Sequence, residues 1–209
     1  MTNKLAVFDF DSTLMDGETL EFLARELGIE EKVKFITDRA MRGEADFFES
    51  LTERVSLLKG MPVEKVDEIC KNLPLMNGAQ EVMNGLKNKG YKVVCFSGGF
   101  KNATIPFAQK LGLDGEFSNI LHQKNGILTG NVGGEMMFND SKGQMLKRLQ
   151  ALMDVGKDNT IAIGDGANDL SMFKYASKRV AFCAKPVLKE SANIIIEEKN
   201  LAKILEYID

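Results

Sequence analysis

The chain has 209 residues, which gives room for one domain with an insert or for two small domains. Apolar residues make up 44% and charged residues 27%, as in soluble globular proteins, and a net charge of −3 argues against a broad nucleic-acid or anionic-membrane surface. A single histidine excludes a histidine-rich zinc site and phosphoryl transfer through paired histidines.

The sequence contains no recognisable export signal or membrane anchor. Few apolar residues precede Asp9, and no apolar run approaches the roughly 20 residues that a membrane span needs. Cys70, Cys95 and Cys183 are scattered in mostly apolar contexts, which is typical of reduced core residues. We therefore expect a cytoplasmic protein, a monomer or a homodimer, whose partner is a small molecule rather than nucleic acid or a membrane.

The first predicted element is a buried strand. Residues 5–8 form a short, continuous apolar run, as in parallel strands that are covered on both faces. The run leads directly into Asp9-Phe10-Asp11-Ser12-Thr13. Two carboxylates therefore follow the carboxyl end of this strand.

Residues 15–74 carry helical patterns and no strand-like run. One apolar face ends at Gly28, another runs from Phe47 to Leu58, and Pro62 marks a further helix start. A structureless loop of this length inside a compact domain is implausible. We therefore predict a helical cap domain at 15–74, inserted into an α/β core domain formed by 1–14 and 75–209.

The rest of the chain alternates between strand and helix patterns. Further apolar runs predict buried strands at 93–96, 160–163, 180–183 and 194–196. Helical faces at 79–86 and 145–152 lie between them, each stopping before a glycine. The segment 127–137, which is rich in glycine, indicates a small β-hairpin excursion. The predicted fold class is α/β, with a Rossmann-like parallel sheet flanked by helices.

Polar residues collect where three of these strands end. The second strand ends in Ser97-Gly98-Gly99, and the strand at 160–163 is followed by a polar run from Gly164 to Asp169. In open parallel sheets, ligands bind outside the carboxyl ends of the strands. We therefore expect these two ends to converge with the first on one pocket.

The predicted pocket would hold four carboxylates, from Asp9, Asp11, Asp165 and Asp169. Two carboxylates about 4 Å apart repel by roughly 4 kcal/mol at an effective dielectric of about 20, so the set needs a cation unless some members are protonated. With oxygen ligands alone, Mg²⁺ is the natural choice. Backbone N–H groups near the glycines and the Ser97 hydroxyl suit a phosphate group. The pattern thus predicts a magnesium-dependent phosphoryl-transfer site.

The spacing of Asp9 and Asp11 suits two complementary roles. Residues i and i+2 of a strand lie on the same face, so both carboxylates can enter one pocket. One can attack phosphorus to form an acyl phosphate, while the other protonates the leaving oxygen and later deprotonates water. An isolated pair of this kind is more often a strand-end turn, but the two matching strand ends favour the catalytic interpretation.

Together these motifs resemble the haloacid dehalogenase superfamily. The matching residues occur in order along essentially the whole chain: Asp9-x-Asp11-x-Thr13, Ser97, Lys142 and Gly164-Asp165-x-x-Asn168-Asp169. Other stretches resemble the branch of the superfamily that hydrolyses phosphoserine: Glu18-Thr19, 54–58, 97–100, 171–173 and 181–186. That resemblance implies hydrolysis of O-phospho-L-serine at the last step of serine biosynthesis.

The resemblance also implies a role for each matching residue. Asp9 would be the nucleophile and Asp11 the general acid/base, and Mg²⁺ would be held by Asp9, the backbone carbonyl of Asp11 and Asp165, with Asp169 in support. The implied substrate-binding residues are Glu18 for the ammonium, Arg54 for the carboxylate, Met41 and Phe47 as an apolar cover, Ser97, Gly98 and Lys142 for the phosphoryl oxygens, and Asn168 lining the pocket.

On the residues alone, several of these assignments have a simpler interpretation. A lone lysine or arginine is usually a solvated surface charge, although Arg54 has no acid three or four residues away to pair with it. Glu18 could be a first-turn acid favoured by a helix dipole. Met41 and Phe47 fit the apolar core of the cap. The order of the motifs reverses this interpretation for Lys142.

Three alternative functions remain open at this point. The acyl phosphate could pass to an alcohol such as homoserine, as in a phosphotransferase, or the cap could select another small phosphomonoester. A non-catalytic phospho-receiver could hold phosphate on Asp9 as a signal, but Asp11 would speed its loss, and a receiver has no need of a cap. A nucleotide kinase is disfavoured because no G-x-x-x-x-G-K-[ST] motif occurs.

Overall fold

A computed structural model describes residues 3–41 and 46–208 of the protein. Within these residues one sheet has the strand order β4-β3-β2-β1-β5-β6-β7, in which β4 runs antiparallel to β3 and the other neighbouring strands pair in parallel. The predicted α/β class is confirmed. The strands are β1 (Lys4–Phe8), β2 (Tyr91–Phe100), β3 (Gly115–Lys124), β4 (Ile127–Gly134), β5 (Thr160–Gly164), β6 (Lys178–Phe182) and β7 (Ile194–Ile196).

Helices connect the strands and cover both faces of the sheet. They are α1 (Thr19–Glu26), α2 (Glu30–Met41), α3 (Phe47–Ser56), α4 (Val63–Lys71), α5 (Ala79–Asn88), α6 (Lys101–Leu111), α7 (Ser141–Met153), α8 (Leu170–Phe173) and α9 (Pro186–Lys189). Short 3₁₀ turns lie at 157–159, 167–169 and 201–207. No described helix combines the length and apolar character that crossing a bilayer requires.

The strand β1 lies at the centre of the sheet and is buried on both faces. Its alternating side chains point to opposite sides. Leu5 and Val7 pack in one apolar cluster, with residues of α7 and α8, while Ala6 and Phe8 pack in the other, with residues of α1, α3 and α5. This double burial explains why the strand has a continuous apolar run instead of an alternating one.

The predicted hairpin is longer than expected and begins earlier. Its first strand is β3, which the sequence patterns do not reveal, and the segment 127–137 contains only its second strand, β4. The turn is Asn125-Gly126, and both residues have positive φ, at 52° and 76°. This is the conformation that favours Asn-Gly in a two-residue hairpin turn.

One side chain in α7 departs from the predicted buried face. Leu152 is 82% exposed, whereas Leu146 is buried and Leu149 and Met153 are partly buried against the same cluster. The buried positions therefore advance by three and then four residues, which is the spacing of one helical face. Leu152 is the position just before Met153, and adjacent positions of a helix point in different directions, so the Leu152 side chain leaves that face.

The helical segment α1–α4 lies between β1 and α5 and is attached to the hairpin. Gly60 N donates to Leu128 O at 3.0 Å, Leu128 N to Met61 O at 2.9 Å, and Val63 N to Gly126 O at 2.8 Å. Phe48 of α3 also stacks on Phe138, with ring centroids 5.4 Å apart. The division into a cap at 15–74 and a core stays a prediction, because one apolar cluster runs through both parts.

Candidate active site

The chain turns sharply after β1 and brings two aspartates to one cavity. Asp9 N continues the pairing with β5 by donating to Ile163 O at 2.9 Å, and Asp9 Oδ1 accepts from Phe10 N at 2.7 Å. A wide turn follows over Phe10–Leu14, in which Asp11 is extended and Ser12 has a φ of 56°. Phe10 is buried between the aspartates, while Asp9 and Asp11 both line the cavity.

The end of β5 contributes a second pair of carboxylates. Asp169 Oδ2 accepts from Asp165 N at 3.0 Å and from Gly166 N at 3.1 Å, so backbone donors hold this carboxylate against the loop. Gly164 is required for that approach, since a Cβ there would lie 2.2 Å from Asp169 Oδ2. The glycine that ends the strand thus allows Asp169 to fold back beneath it.

Lys142 links the two strand ends. Its Nζ lies 2.6 Å from Asp9 Oδ1 and 2.6 Å from Asp169 Oδ1, and the side chain is almost fully buried. It reaches this position because Gly143 packs directly on Ser171, whose carbonyl oxygen would lie 2.5 Å from a Cβ at residue 143. Lys142 is therefore not the solvated surface charge that a lone lysine usually is.

The electrostatics of this cluster call for a cation. Burial, followed by the charge of Asp169, raises the pKa of Asp9 well above its ordinary range, although Lys142 opposes the shift. Burial and Asp169 also raise the pKa of Asp165 to about 7, against Lys142 and Lys185. Burial alone would lower the pKa of Lys142, but Asp169 and Asp9 raise it. The carboxylates are thus costly to ionise together, because among the described residues Lys142 is the only ammonium that pairs directly with them.

The donor set suits a hard divalent cation. Asp9, Asp165 and Asp169 each offer one oxygen, and these atoms lie within 4.8 Å of one another. Three carboxylates beside the single ammonium of Lys142 leave two excess negative charges, which one divalent ion would balance. Both Asp169 oxygens already have partners, which favours Asp9 and Asp165 as direct ligands and Asp169 as support. The predicted backbone contribution of Asp11 stays a prediction.

Asp11 is held by the first turn of α1. Its Oδ1 accepts from Thr19 N at 2.7 Å and from Thr19 Oγ1 at 2.6 Å. The other oxygen, Oδ2, lies over Gly99, where an added Cβ would be 2.9 Å away. Burial raises the pKa of Asp11, while the bonds from Thr19 oppose the shift. A carboxyl group with a raised pKa retains its proton more readily and suits a general acid.

The end of β2 forms a compact loop next to the aspartates. Gly99 N donates to Ser97 Oγ at 2.8 Å, and Ser97 is fully buried. Phe47 of α3 covers the loop from the other side, since a Cβ at Gly98 would lie 2.9 Å from its ring. Both glycines therefore permit close packing around the Ser97 hydroxyl.

Two charged residues face the cavity from the helical segment and its approach. Ser12 Oγ donates to Glu18 Oε1 at 2.6 Å, and burial followed by the charge of Asp11 raises the pKa of Glu18 to about 8. Arg54 donates to Ser50 O at 3.1 Å and to Thr37 Oγ1 at 3.3 Å. Among the side chains that the structure describes, no carboxylate forms an ion pair with the Arg54 guanidinium within 4.0 Å.

Most of the predicted site residues meet at a cavity of about 1000 Å³. The residues that line it include Asp9, Asp11, Glu18, Phe47, Arg54, Gly98, Asp165 and Asn168. Ser97, Lys142 and Asp169 lie just behind this lining, bonded to its members or to their neighbours. The Met41 side chain is outside the described residues.

Sequence reasoning missed several residues of the site. Thr19 fixes the Asp11 carboxylate, and Gly99 packs beneath that carboxylate. Lys185 lines the cavity, and its backbone nitrogen donates to Asp165 O at 2.8 Å. All three belong to stretches that the resemblance covers, and their positions beside Glu18, Gly98 and Pro186 are the signal that could have identified them.

Comparisons with known proteins find similar sequences over most of the length of the chain. The model of the haloacid dehalogenase-like hydrolase family matches residues 3–177. A phosphoserine phosphatase of Wolinella succinogenes is 60% identical over 205 residues, covering 98% of this chain and 100% of that protein. One of Methanocaldococcus jannaschii is 50% identical over 205 residues, covering 98% and 97%.

Solved structures show the same likeness. A phospho-aspartyl intermediate analogue of phosphoserine phosphatase superposes with a TM-score of 0.96 at 49% identity, covering all of both chains. A substrate-bound phosphoserine phosphatase complex also gives a TM-score of 0.96, at 48% identity and the same coverage. The fold and the sequence of this chain are therefore similar to the same set of proteins.

Proposed function

This chain belongs to the haloacid dehalogenase-like hydrolase family, and we propose that it hydrolyses O-phospho-L-serine to L-serine and phosphate through an aspartyl phosphate on Asp9. The observation that carries this proposal is the division of charge around the cavity. Asp9 and Asp11 line it from the end of β1, while Arg54 and Glu18 line it from the helical segment and its approach. The first pair suits a phosphoryl group, and the second suits the carboxylate and ammonium of an amino acid.

In the first step, Asp9 attacks the substrate. A carboxylate oxygen of Asp9 forms a bond to phosphorus as the bond between phosphorus and the serine oxygen breaks. Asp11, whose pKa is raised by burial, transfers a proton to the departing serine oxygen. Lys142 lies within 2.6 Å of Asp9, where its ammonium stabilises the negative charge that collects on the phosphoryl oxygens.

In the second step, Asp11 acts as a base. It removes a proton from a water molecule, whose oxygen attacks phosphorus as the bond to Asp9 breaks. This step releases phosphate and regenerates the Asp9 carboxylate and the Asp11 carboxyl group. The two bonds from Thr19 keep Asp11 Oδ1 in place through both steps and leave Oδ2 to transfer the proton.

We propose Mg²⁺ as the cation of the acidic cluster. The oxygen donors of Asp9 and Asp165, supported by Asp169, suit a small hard ion, and the backbone carbonyl of Asp11 completes the proposed set. When bound, Mg²⁺ supplies positive charge that keeps Asp9 ionised and draws electron density from the phosphoryl group. Lys142 contributes part of the same charge from the chain itself.

The substrate contacts are proposals of the same kind. The Arg54 guanidinium is partly buried and forms no ion pair with a described carboxylate, so it suits the substrate carboxylate. Glu18 would bind the ammonium, and Met41 and Phe47 would cover the ligand. Ser97, Gly98 and Asn168 would surround the phosphoryl group with Lys142.

Three further expectations complete the proposal. Residues 15–74 would act as a cap that selects the substrate, over a core of 1–14 and 75–209. The protein would be cytoplasmic, and its three cysteines are free thiols in the structure. It would act on a small molecule, as a monomer or homodimer, without nucleic-acid or membrane partners.

The experiment that tests this function is a phosphate-release assay over a panel of small phosphomonoesters. Phosphoserine is expected to give the highest kcat/KM with Mg²⁺ present, and excess chelator is expected to abolish turnover until Mg²⁺ is restored. Each reaction is repeated with homoserine added. A phosphorylated homoserine product would identify a phosphotransferase, and a better substrate than phosphoserine would reassign the specificity.

Replacing Arg54 tests the proposed carboxylate contact. We expect Arg54→Ala to reduce kcat/KM for phosphoserine by about 100-fold, since a buried charge-assisted contact is worth roughly 2–3 kcal/mol. For p-nitrophenyl phosphate, which has no carboxylate, kcat/KM should decrease by no more than about 3-fold.

A matched control is Arg25→Ala, because Arg25 is an exposed arginine of α1 paired with Glu30 and does not line the cavity. It should leave both substrates unaffected. An equal loss for both substrates in Arg54→Ala would contradict the selective role and make Arg54 a general catalytic or structural residue.

A further inference from the structure

The loop at the end of β2 is held by a residue that neither the motifs nor the proposed mechanism includes. Between Phe96 and Phe100 the pairing of β2 with β3 is irregular: Phe96 is opposite Phe117, and Phe100 is opposite Asn119. Between these two pairs lie three residues of β2 but only one residue of β3. The extra backbone forms a bulge that contains Ser97, Gly98 and Gly99, and its polar groups need partners outside the regular ladder.

The side chain of Asn119 supplies one of these partners. It is fully buried, and its Nδ2 donates to Gly98 O at 3.0 Å and to Met136 O at 3.1 Å. Its Oδ1 accepts from Met136 N at 2.9 Å. Both amide hydrogens and the amide oxygen therefore have partners, and these bonds join the bulge to the segment leading to α7.

Gly134 makes this arrangement possible. It has a φ of 149°, and a Cβ there would lie 2.7 Å from both the Cα and the Oδ1 of Asn119. A larger residue at position 134 would displace the amide. The glycine-rich segment identified in the sequence thus has a use at the active site, although β4 is three positions from β1 in the sheet.

The bond from Asn119 acts on Ser97 through one peptide group. The peptide between Gly98 and Gly99 is planar and trans, so a fixed direction for Gly98 C=O also fixes Gly99 N–H in the opposite direction. Gly99 N–H donates to Ser97 Oγ at 2.8 Å. Because this bond occupies one lone pair of the oxygen, it restricts where the hydroxyl hydrogen can point.

We propose that Asn119 is a positioning residue for phosphoryl binding, which orients the Ser97 hydroxyl through the Gly98–Gly99 peptide. The inference rests on the proposed function, because it takes Ser97 as a donor to the phosphoryl oxygens. Asn119 itself does not line the cavity. Its effect must therefore pass through Ser97, and the two residues must be energetically coupled.

A double-mutant cycle between Asn119→Ala and Ser97→Ala tests this coupling. Alone, Asn119→Ala is expected to lower kcat/KM about 10- to 100-fold for both phosphoserine and p-nitrophenyl phosphate, comparable to or below the loss of one preorganised donor. In the Ser97→Ala background, Asn119→Ala should lower kcat/KM by less than about 2-fold. A change of that size is within the error with which the effects of independent mutations add. The affinity for inorganic phosphate, measured by calorimetry, should follow the same pattern.

Ser118→Ala is the matched control. Ser118 is the neighbouring residue of β3, equally buried, and its hydroxyl bonds to Glu116 at 2.7 Å and to Thr104 at 2.8 Å, away from the bulge. It should lower thermal stability without lowering kcat/KM. If Asn119→Ala does not fold, Asn119→Ser supplies the cycle, because it leaves a smaller cavity than alanine and still lacks the Nδ2 donor to Gly98 O.

Different results would overturn the proposed function and the positioning role of Asn119. A wild-type enzyme without phosphatase activity would overturn the proposed function. A wild-type enzyme that hydrolyses phosphoserine, combined with full additivity of the Asn119 and Ser97 changes, would overturn the positioning role alone. The same conclusion would follow if Asn119→Ala cost no more kcat/KM than Ser118→Ala.

Discussion

Asp9→Asn is expected to reduce kcat for phosphoserine by at least about 10⁴-fold, as is typical when a covalent nucleophile is removed. An amide cannot attack phosphorus and then leave as a carboxylate, so no aspartyl phosphate forms. The fold should be retained, because the amide oxygen can still accept from Phe10 N and because the change removes one of several crowded carboxylates. Phosphate release and trapping of the phosphoenzyme by acid quench are the measurements.

The control for this prediction is Asp16→Asn. Asp16 is a partly exposed aspartate of the same connection, pairs with Lys199 and does not line the cavity, so normal activity is expected. Mass spectrometry establishes that the amide of the Asp9 variant is intact during the assay. Activity above about 1% of the wild type with an intact amide would rule out Asp9 as the nucleophile, since such a loss is far smaller than nucleophile removal normally causes.

Asp11→Asn is expected to separate the two steps of the reaction. With p-nitrophenyl phosphate, whose leaving group needs little protonation, the first step should proceed and release one nitrophenolate per enzyme. The second step should slow by about 10²- to 10⁴-fold, because no base remains to deprotonate water. With phosphoserine, both steps should slow, because the serine oxygen departs poorly without a proton.

A stopped-flow trace distinguishes this outcome directly. A burst of nitrophenolate followed by a slow steady state is the expected result, and the phosphoenzyme should persist on the same time scale. The asparagine oxygen can accept the same bonds from Thr19 N and Thr19 Oγ1, so altered placement is not expected. A wild-type steady-state rate without accumulation would assign the proton transfers to another group.

The parts of the fold that sequence patterns predicted are those with local signals. For β1 and β5, burial on both faces leaves a continuous apolar run, and the turn that follows begins with Asp9 or Asp165. The strand β3 escaped prediction because its sequence is largely polar and several of its residues are exposed. It is a strand because β2 and β4 pair with it on either side, and such non-local pairing leaves little periodicity in the strand itself.

Some residues of the candidate site were likewise predictable from local sequence signals, and others were not. Asp9 and Asp165 follow strand ends and Ser97 lies near the end of β2, and the sheet geometry itself brings these ends together. Arg54 required the packing of α3 over the cavity, and no neighbouring acid along the helix signals its position. Asn119 lies 21 residues from Gly98, and only the bulge in β2 explains why an amide is needed there.

The backbone bonds between β4 and the segment 60–63 have a consequence for solubility. β4 is an edge strand of the sheet, and an edge strand offers unpaired N–H and C=O groups to any other chain that approaches. Leu128 uses both of its backbone groups in bonds to Gly60 and Met61, and Gly130 lies against Ser56 and Lys59. The helical insert therefore shields this part of the sheet from edge-to-edge association with other copies of the protein, a role separate from any choice of substrate.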